Sequence, residues 1–204
     1  MLCLTTLHFL LLLMLTMAFR LVVECEWPNI ADTILPSWMD AYGKTPNVSL
    51  YVCFNRYTCV ENGDILNLDD VREEPYVTFT GSDVREEDEY LYVCLDVDSY
   101  SPAQPYLRSE LHWLVTNING SIKPYQHVAD VGHVAYPYLP PRRNYDFDGN
   151  QGVHRYYNLI FKQRRAEEHV KYDGWVRHFG LREFTKINKL GYPLGGVVYE
   201  VDYG

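Results

Sequence analysis

The pattern of apolar and polar positions is organised around residues 91–118, LYVCLDVDSYSPAQPYLRSELHWLVTNI. An apolar run opening at Leu91 closes on Asp96 and Asp98, and the two-residue period of a strand puts both carboxylates on one face. After a Pro-containing loop, residues 111–118 read as a second strand. Its period predicts His112, Leu114 and Thr116 on one face and Trp113, Val115 and Asn117 on the other. The stretch GVHRYYNLIFK, residues 152–162, repeats the device, with His154 and Tyr156 on one side. Val48, Leu50 and Val52 alternate with polar neighbours, and Asn62-Gly63 supplies a turn before a strand over 64–68. Residues 76–80 and 195–201 complete the strands. Helical spacing occurs twice. Leu181, Phe184, Ile187 and Leu190 recur every third residue, with Gly191 as the stop. Ile30, Ile34, Leu35 and Trp38 do so around Pro36, which splits that segment into two short turns covering a sheet. The pattern predicts one mainly-β domain with a central antiparallel sheet and a few peripheral helices.

Composition adds a destination. A chain of 204 residues, 47% apolar, can bury one sizeable core and demands no second domain. Residues 2–19 are nearly all apolar and uncharged, Arg20 follows, and Thr16-Met17-Ala18 suits cleavage. Residues 1–23 are therefore read as a secretory signal peptide, cut after Ala18 or after Cys25, and residues 24–204 as the domain. An uncleaved membrane anchor is the alternative. Asn47-Val48-Ser49 and Asn119-Gly120-Ser121 have the form of glycosylation acceptors, consistent with a secreted glycoprotein. With Cys3 in the leader, Cys25, Cys53, Cys59 and Cys94 allow three pairings. Cys53 and Cys59 flank an apparent strand-turn-strand and are paired locally. Cys25 with Cys94 is the default second bridge, against Cys94 as a buried thiol in an apolar strand.

The net charge of −9, without any basic stripe, argues against nucleic acid and against a nonspecific grip on anionic membrane. No phosphate-binding glycine loop or Gly-x-Ser-x-Gly elbow occurs, and no Ser or Cys stands in a nucleophile motif. The chain is therefore read as a binding protein, not an enzyme, with no cofactor and no metal. Two histidines with a carboxylate could instead hold ferrous iron, which makes a metal-dependent oxygenase the competing chemistry. Four other histidines, His127, His133, His169 and His178, are read as surface residues, as is the Arg142-Arg143 pair, unless it lends positive charge to a pocket mouth.

One arrangement goes further than any single motif. An apolar strand ends in Asp-x-Asp (Asp96, Asp98). Arg108, His112, Leu114, Val115, Asn117 and Ile118 follow, then Pro140-Pro141, then Gly152, His154, Arg155 and Tyr156 before another apolar strand. The order resembles the phosphatidylethanolamine-binding protein family over roughly residues 48–199. It departs where Asp96-Val97-Asp98-Ser99-Tyr100-Ser101-Pro102 replaces the family's D-P-D-A-P-S, where Leu139 replaces a Gly, and in a longer loop over 142–151. The resemblance implies a central antiparallel sheet packed on a smaller sheet. It also implies a pocket formed by Asp96, His112, Pro141, His154, Tyr156 and Tyr199 that takes a small phosphate-type anion or phospholipid head group. Asp96 would orient an imidazole, and the imidazoles and Tyr hydroxyls would donate to the oxyanion. Asp98 would cap the loop backbone. A protease inhibitor or signalling modulator with a degenerate pocket and an extracellular protein partner is the alternative. The chain is expected to be a monomer.

Overall fold

The structure is a computed structural model that describes residues 48–54, 59–99, 101–103, 109–142, 152–163 and 170–204. All of these fall in one compact unit, Pro46–Gly204. The expected leader and the helical segment around Pro36 lie outside the described residues.

Strands form where the alternation predicts them: β1 (Val48–Cys53), β2 (Ile65–Asn67), β3 (Tyr76–Gly81), β4 (Glu89–Asp96), β5 (Glu110–Asn119), β7 (Val153–Gln163) and β8 (Gly195–Asp202). A helix α1 (Val128–Val131) and strand β6 (His133–Tyr136), absent from the sequence reading, lie between β5 and β7. The last helix, α2 (Leu181–Ile187), stops short of Gly191 because Lys189 adopts a left-handed φ of 52° and breaks the helical path. Leu181, Phe184 and Leu190 are buried, whereas Ile187 is exposed.

Six strands form one sheet in the order β2-β8-β7-β4-β5-β6, and β1 pairs with β3 in a second, two-stranded sheet. All pairings are antiparallel except β2 with β8. The sheets share one core. Val48, Leu50, Val52, Val77 and Phe79 of the small sheet pack with Tyr90, Tyr92, Cys94, Trp113, Tyr156, Val197 and Tyr199 of the large one. Edge-on ring contacts of Phe54 with Tyr199, 5.3 Å, and tilted contacts of Phe79 with Tyr90, 5.1 Å, join the layers. At Gly195 a side chain is excluded: a Cβ there would stand 2.2 Å from the Val48 carbonyl oxygen.

Strand β5 is where the simple two-residue period fails. Cys94 pairs with Trp113, but Leu95, one step on, pairs with Leu111, so His112 is an extra residue in a β-bulge. A bulge turns two successive side chains to one face. His112 therefore points to the Tyr156 side, its ring 5.0 Å from that phenol. Trp113 and Val115 join the shared core, and the expected grouping of His112 with Leu114 and Thr116 is corrected. A second shift, between Tyr90 and Tyr92, falls opposite Asn117, whose φ is 54°.

Cys53 and Cys59 form the expected local disulfide. The default pairing of Cys94 with Cys25 is not made, because Cys94 is a free thiol buried in the core. His127 is also corrected. It caps α1 over β3, with only 12% of its side chain exposed, and its Nε2 meets Glu74. His133 and His178 are exposed, and His169 lies outside the described residues.

Candidate functional site

The cluster is built where the end of β4 lies beside the start of β7. Asp96 closes β4 and pairs across the sheet with Tyr156. His154 lies two residues before Tyr156 on the same face, so a strand's geometry alone brings both side chains to the carboxylate. The His154 Nδ1 donates to Asp96 Oδ2 at 2.8 Å, and the Tyr156 hydroxyl approaches the same oxygen at 3.4 Å. The other oxygen accepts from the Asp98 backbone N–H at 2.8 Å. These groups are sealed: Asp96 is 2% exposed, and His154 and Tyr156 are 0% exposed.

His112 arrives from the bulge, and its backbone and ring are both tied to Leu139. The Leu139 N–H donates to the His112 carbonyl at 2.7 Å, and His112 Nδ1 donates back to the Leu139 carbonyl at 2.6 Å. This reciprocal pair fixes Pro140 and the buried Pro141 beside the site. Leu139 does not have a positive φ, so the backbone needs no Gly there.

Both imidazoles are thus held by Nδ1. A ring that gives its Nδ1 hydrogen to an acceptor has a bare Nε2 when neutral and an Nε2–H when protonated. The His154 Nε2 is buried and has no hydrogen-bond partner among the described residues, an exception that calls for an occupant. Carboxylate and free nitrogen lie on opposite edges of the His154 ring. Asp96 and both Nε2 atoms therefore do not converge on one metal ion, and no group of three or more metal-binding side chains occurs among the described residues.

Tyr156 is pushed well above the ordinary phenol range, first by burial and then by the Asp96 carboxylate, so it serves as a neutral donor. Tyr199 pairs with Tyr156 across β7 and β8, and its ring stacks 5.4 Å away at 6°. Its hydroxyl bonds to Cys94 rather than to the imidazoles. Its place is behind Tyr156, holding that ring.

Two features were not read from the sequence. Asp98, expected to cap the loop, instead grips Arg155 with both oxygens, to Nε and Nη2 at 2.7 Å each, and also accepts from its backbone N–H at 3.0 Å. Tyr203 joins the cluster: its hydroxyl is 2.5 Å from that of Tyr156 and its ring centroid 4.4 Å from that of His154. The signal was present, since Tyr199, Val201 and Tyr203 continue one two-residue alternation. Beside Pro140 and Pro141 an open cleft of about 610 Å³ is lined also by Leu68, Arg72, Arg142, Asp202 and Gly204.

Comparison with known proteins follows the same lines. The family model described as phosphatidylethanolamine-binding protein matches residues 45–200. CEN-like protein 4 of Nicotiana tabacum is 31% identical over 172 residues, covering 84% of this chain and 90% of that protein. A carboxypeptidase Y inhibitor, solved in complex with its cognate proteinase, shares the fold with a TM-score of 0.65 at 15% identity, over 81% of this chain and 88% of that one. A phosphatidylethanolamine-binding protein from Plasmodium vivax does so with a TM-score of 0.60 at 18% identity, over 84% and 91%.

Proposed function

The chain belongs to the phosphatidylethanolamine-binding protein family, and on that premise we propose that it is a binding protein rather than an enzyme. Asp96, His112, Pro141, His154 and Tyr156 frame a site for a small phosphate-type anion or phospholipid head group, and Tyr199 holds Tyr156 from behind. The observation that carries this reading is the fully buried, unpartnered Nε2 of His154, on a ring whose other nitrogen is fixed by Asp96. His112 repeats the arrangement against Leu139. The reading includes export, supported by the apolar residues 2–19 and by the Cys53–Cys59 disulfide, a bond that persists in oxidising compartments.

A neutral ring turns a lone pair toward an anion and repels it. An anion is held when each Nε2 carries a proton, giving charge-assisted bonds. Binding therefore takes up protons, and affinity falls as pH rises. Titration calorimetry with inorganic phosphate and with phosphorylethanolamine, in two buffers of different ionisation enthalpy, measures both affinity and proton uptake. One ligand per chain is expected, weakened about tenfold or more in His112→Ala and His154→Ala, as befits loss of a charge-assisted bond. Unchanged affinity in His154→Ala would overturn the reading.

A second reading, an interaction or inhibitor module with a degenerate pocket, is favoured by the 0–5% exposure of Asp96, His112, His154 and Tyr156. It predicts no anion binding in either buffer, together with an extracellular protein partner whose affinity is indifferent to both histidine substitutions.

A further inference from the structure

A binding site sealed on every side needs a way in. Tyr203, one residue beyond the end of β8, covers the ring of His154 at 4.4 Å. It is itself 2% exposed. The hydroxyl of Tyr203 takes a hydrogen bond from the backbone of Arg142 and shares one with Tyr156. The residues on either side of it, Asp202 and Gly204, line the open cleft, as do Pro141 and Arg142. The Tyr203 side chain, latched to the Arg142 backbone beside the cleft and to Tyr156 within the cluster, therefore lies between the two and against the ring of His154. It is held there by its place in the shared core, by two hydrogen bonds to its hydroxyl, by one from its own N–H to the Gly152 carbonyl at 3.0 Å, and by the ring contact.

We propose that Tyr203 is the gate of the site. Its ring closes over His154 when the site is empty and swings aside to join the cluster to the cleft. The anionic end of a ligand then meets the imidazoles, and its organic substituent lies in the cleft against Leu68, Pro140 and Pro141. This extends the anion-binding reading and rests on it for the ligand, although the gate can be tested without one.

The probe is diethyl pyrocarbonate, which acylates accessible imidazole nitrogens. Labelling of each histidine is followed by peptide mass spectrometry in the full chain, with exposed His133 as the internal standard. His154 of the wild type should label far more slowly than His133. Labelling should be at least about fivefold faster in Tyr203→Phe, which loses the hydroxyl latch but keeps the ring, since the open population grows by the worth of the two hydrogen bonds that the hydroxyl makes. Tyr203→Ala should label at least about tenfold faster, for want of the ring. Thermal melting establishes that the variants are folded, and should the alanine variant be unfolded, the phenylalanine variant decides. Equal labelling of His154 and His133 in the wild type, or an unchanged His154 rate in the folded variants, would overturn the gate. Added phosphate should slow labelling of His154 in the open variants. If it does not while the rates still rise, the gate stands and the anion-binding reading fails.

Discussion

Replacing Asp96 by alanine strands two donors and removes a weak contact of a third. The Asp98 N–H and His154 Nδ1 each lose an acceptor at 2.8 Å, and the Tyr156 hydroxyl loses a long contact at 3.4 Å. These groups are closed to bulk solvent, since Asp96 is 2% exposed and its side-chain partners 0%. A buried donor left unsatisfied costs about 1–3 kcal/mol, and the long contact adds little, so the two stranded donors sum to about 2–6 kcal/mol. That is a large fraction of the ~5–15 kcal/mol that holds a domain together. Asp96→Asn separates shape from charge. Its amide oxygen still accepts from Asp98, and its two N–H groups suit His154 Nδ1 and Tyr156 once the His154 proton moves to Nε2. It should cost only about 1–2 kcal/mol, and His154 should then donate to an anion without taking up a proton. Equilibrium urea unfolding with an unchanged m-value reads the stabilities. A loss under about 1 kcal/mol for Asp96→Ala would refute the carboxylate's role as the acceptor holding the site. Asparagine as damaging as alanine would refute the proton shift.

Three further outcomes follow from burial. Tyr92, Tyr156 and Tyr199 are raised well above the ordinary phenol range, each chiefly by burial. Their contribution to stability is therefore whole below the unfolded value of about 10 and is lost as pH rises past it. Tyrosinate absorbance should show exposed Tyr125 and Tyr192 ionising first and the buried phenols only with unfolding; early ionisation of all in a folded chain would contradict this. Burial likewise pushes the Cys94 thiol up, so thiol reagents should reach it only in denaturant, and rapid labelling of the native protein would be a failure. Gly195→Ala should destabilise by at least ~2 kcal/mol by forcing β1 from β8, because its Cβ would meet the Val48 oxygen at 2.2 Å. An unchanged melting temperature would contradict that.

The pattern of apolar positions was enough to find strands β1, β3, β4, β5, β7 and β8: β1 alternates because it buries one face, whereas β4 reads as an apolar run because both its faces are buried. It was enough, too, to put His154 and Tyr156 beside each other. It failed at His112, where a bulge adds a residue and re-aims the ring, and no local signal in LRSELHWLV marks the insertion. The four-residue elements α1 and β6 are too short to show a period. Asp98 and Arg155 are 57 residues apart, so their ion pair was invisible to local reading, as was the contact of His127 with Glu74 across 53. Cys94 misled because counting cysteines favours pairs, whereas its strand turns the thiol into the core toward Tyr199. Tyr203 was legible as the next beat after Tyr199 and Val201, but its meaning came only from the ring of His154 lying beneath it.

The account turns on the direction in which two imidazoles face, and long-range proton–nitrogen correlation NMR of the histidine rings reports it most directly. In the free protein at mildly alkaline pH, His112 and His154 should each carry hydrogen on Nδ1 and none on Nε2; on saturation with phosphate, both Nε2 atoms should gain a proton. Hydrogen on Nε2 of either ring in the free protein, or no change at either Nε2 under saturating phosphate, would contradict it.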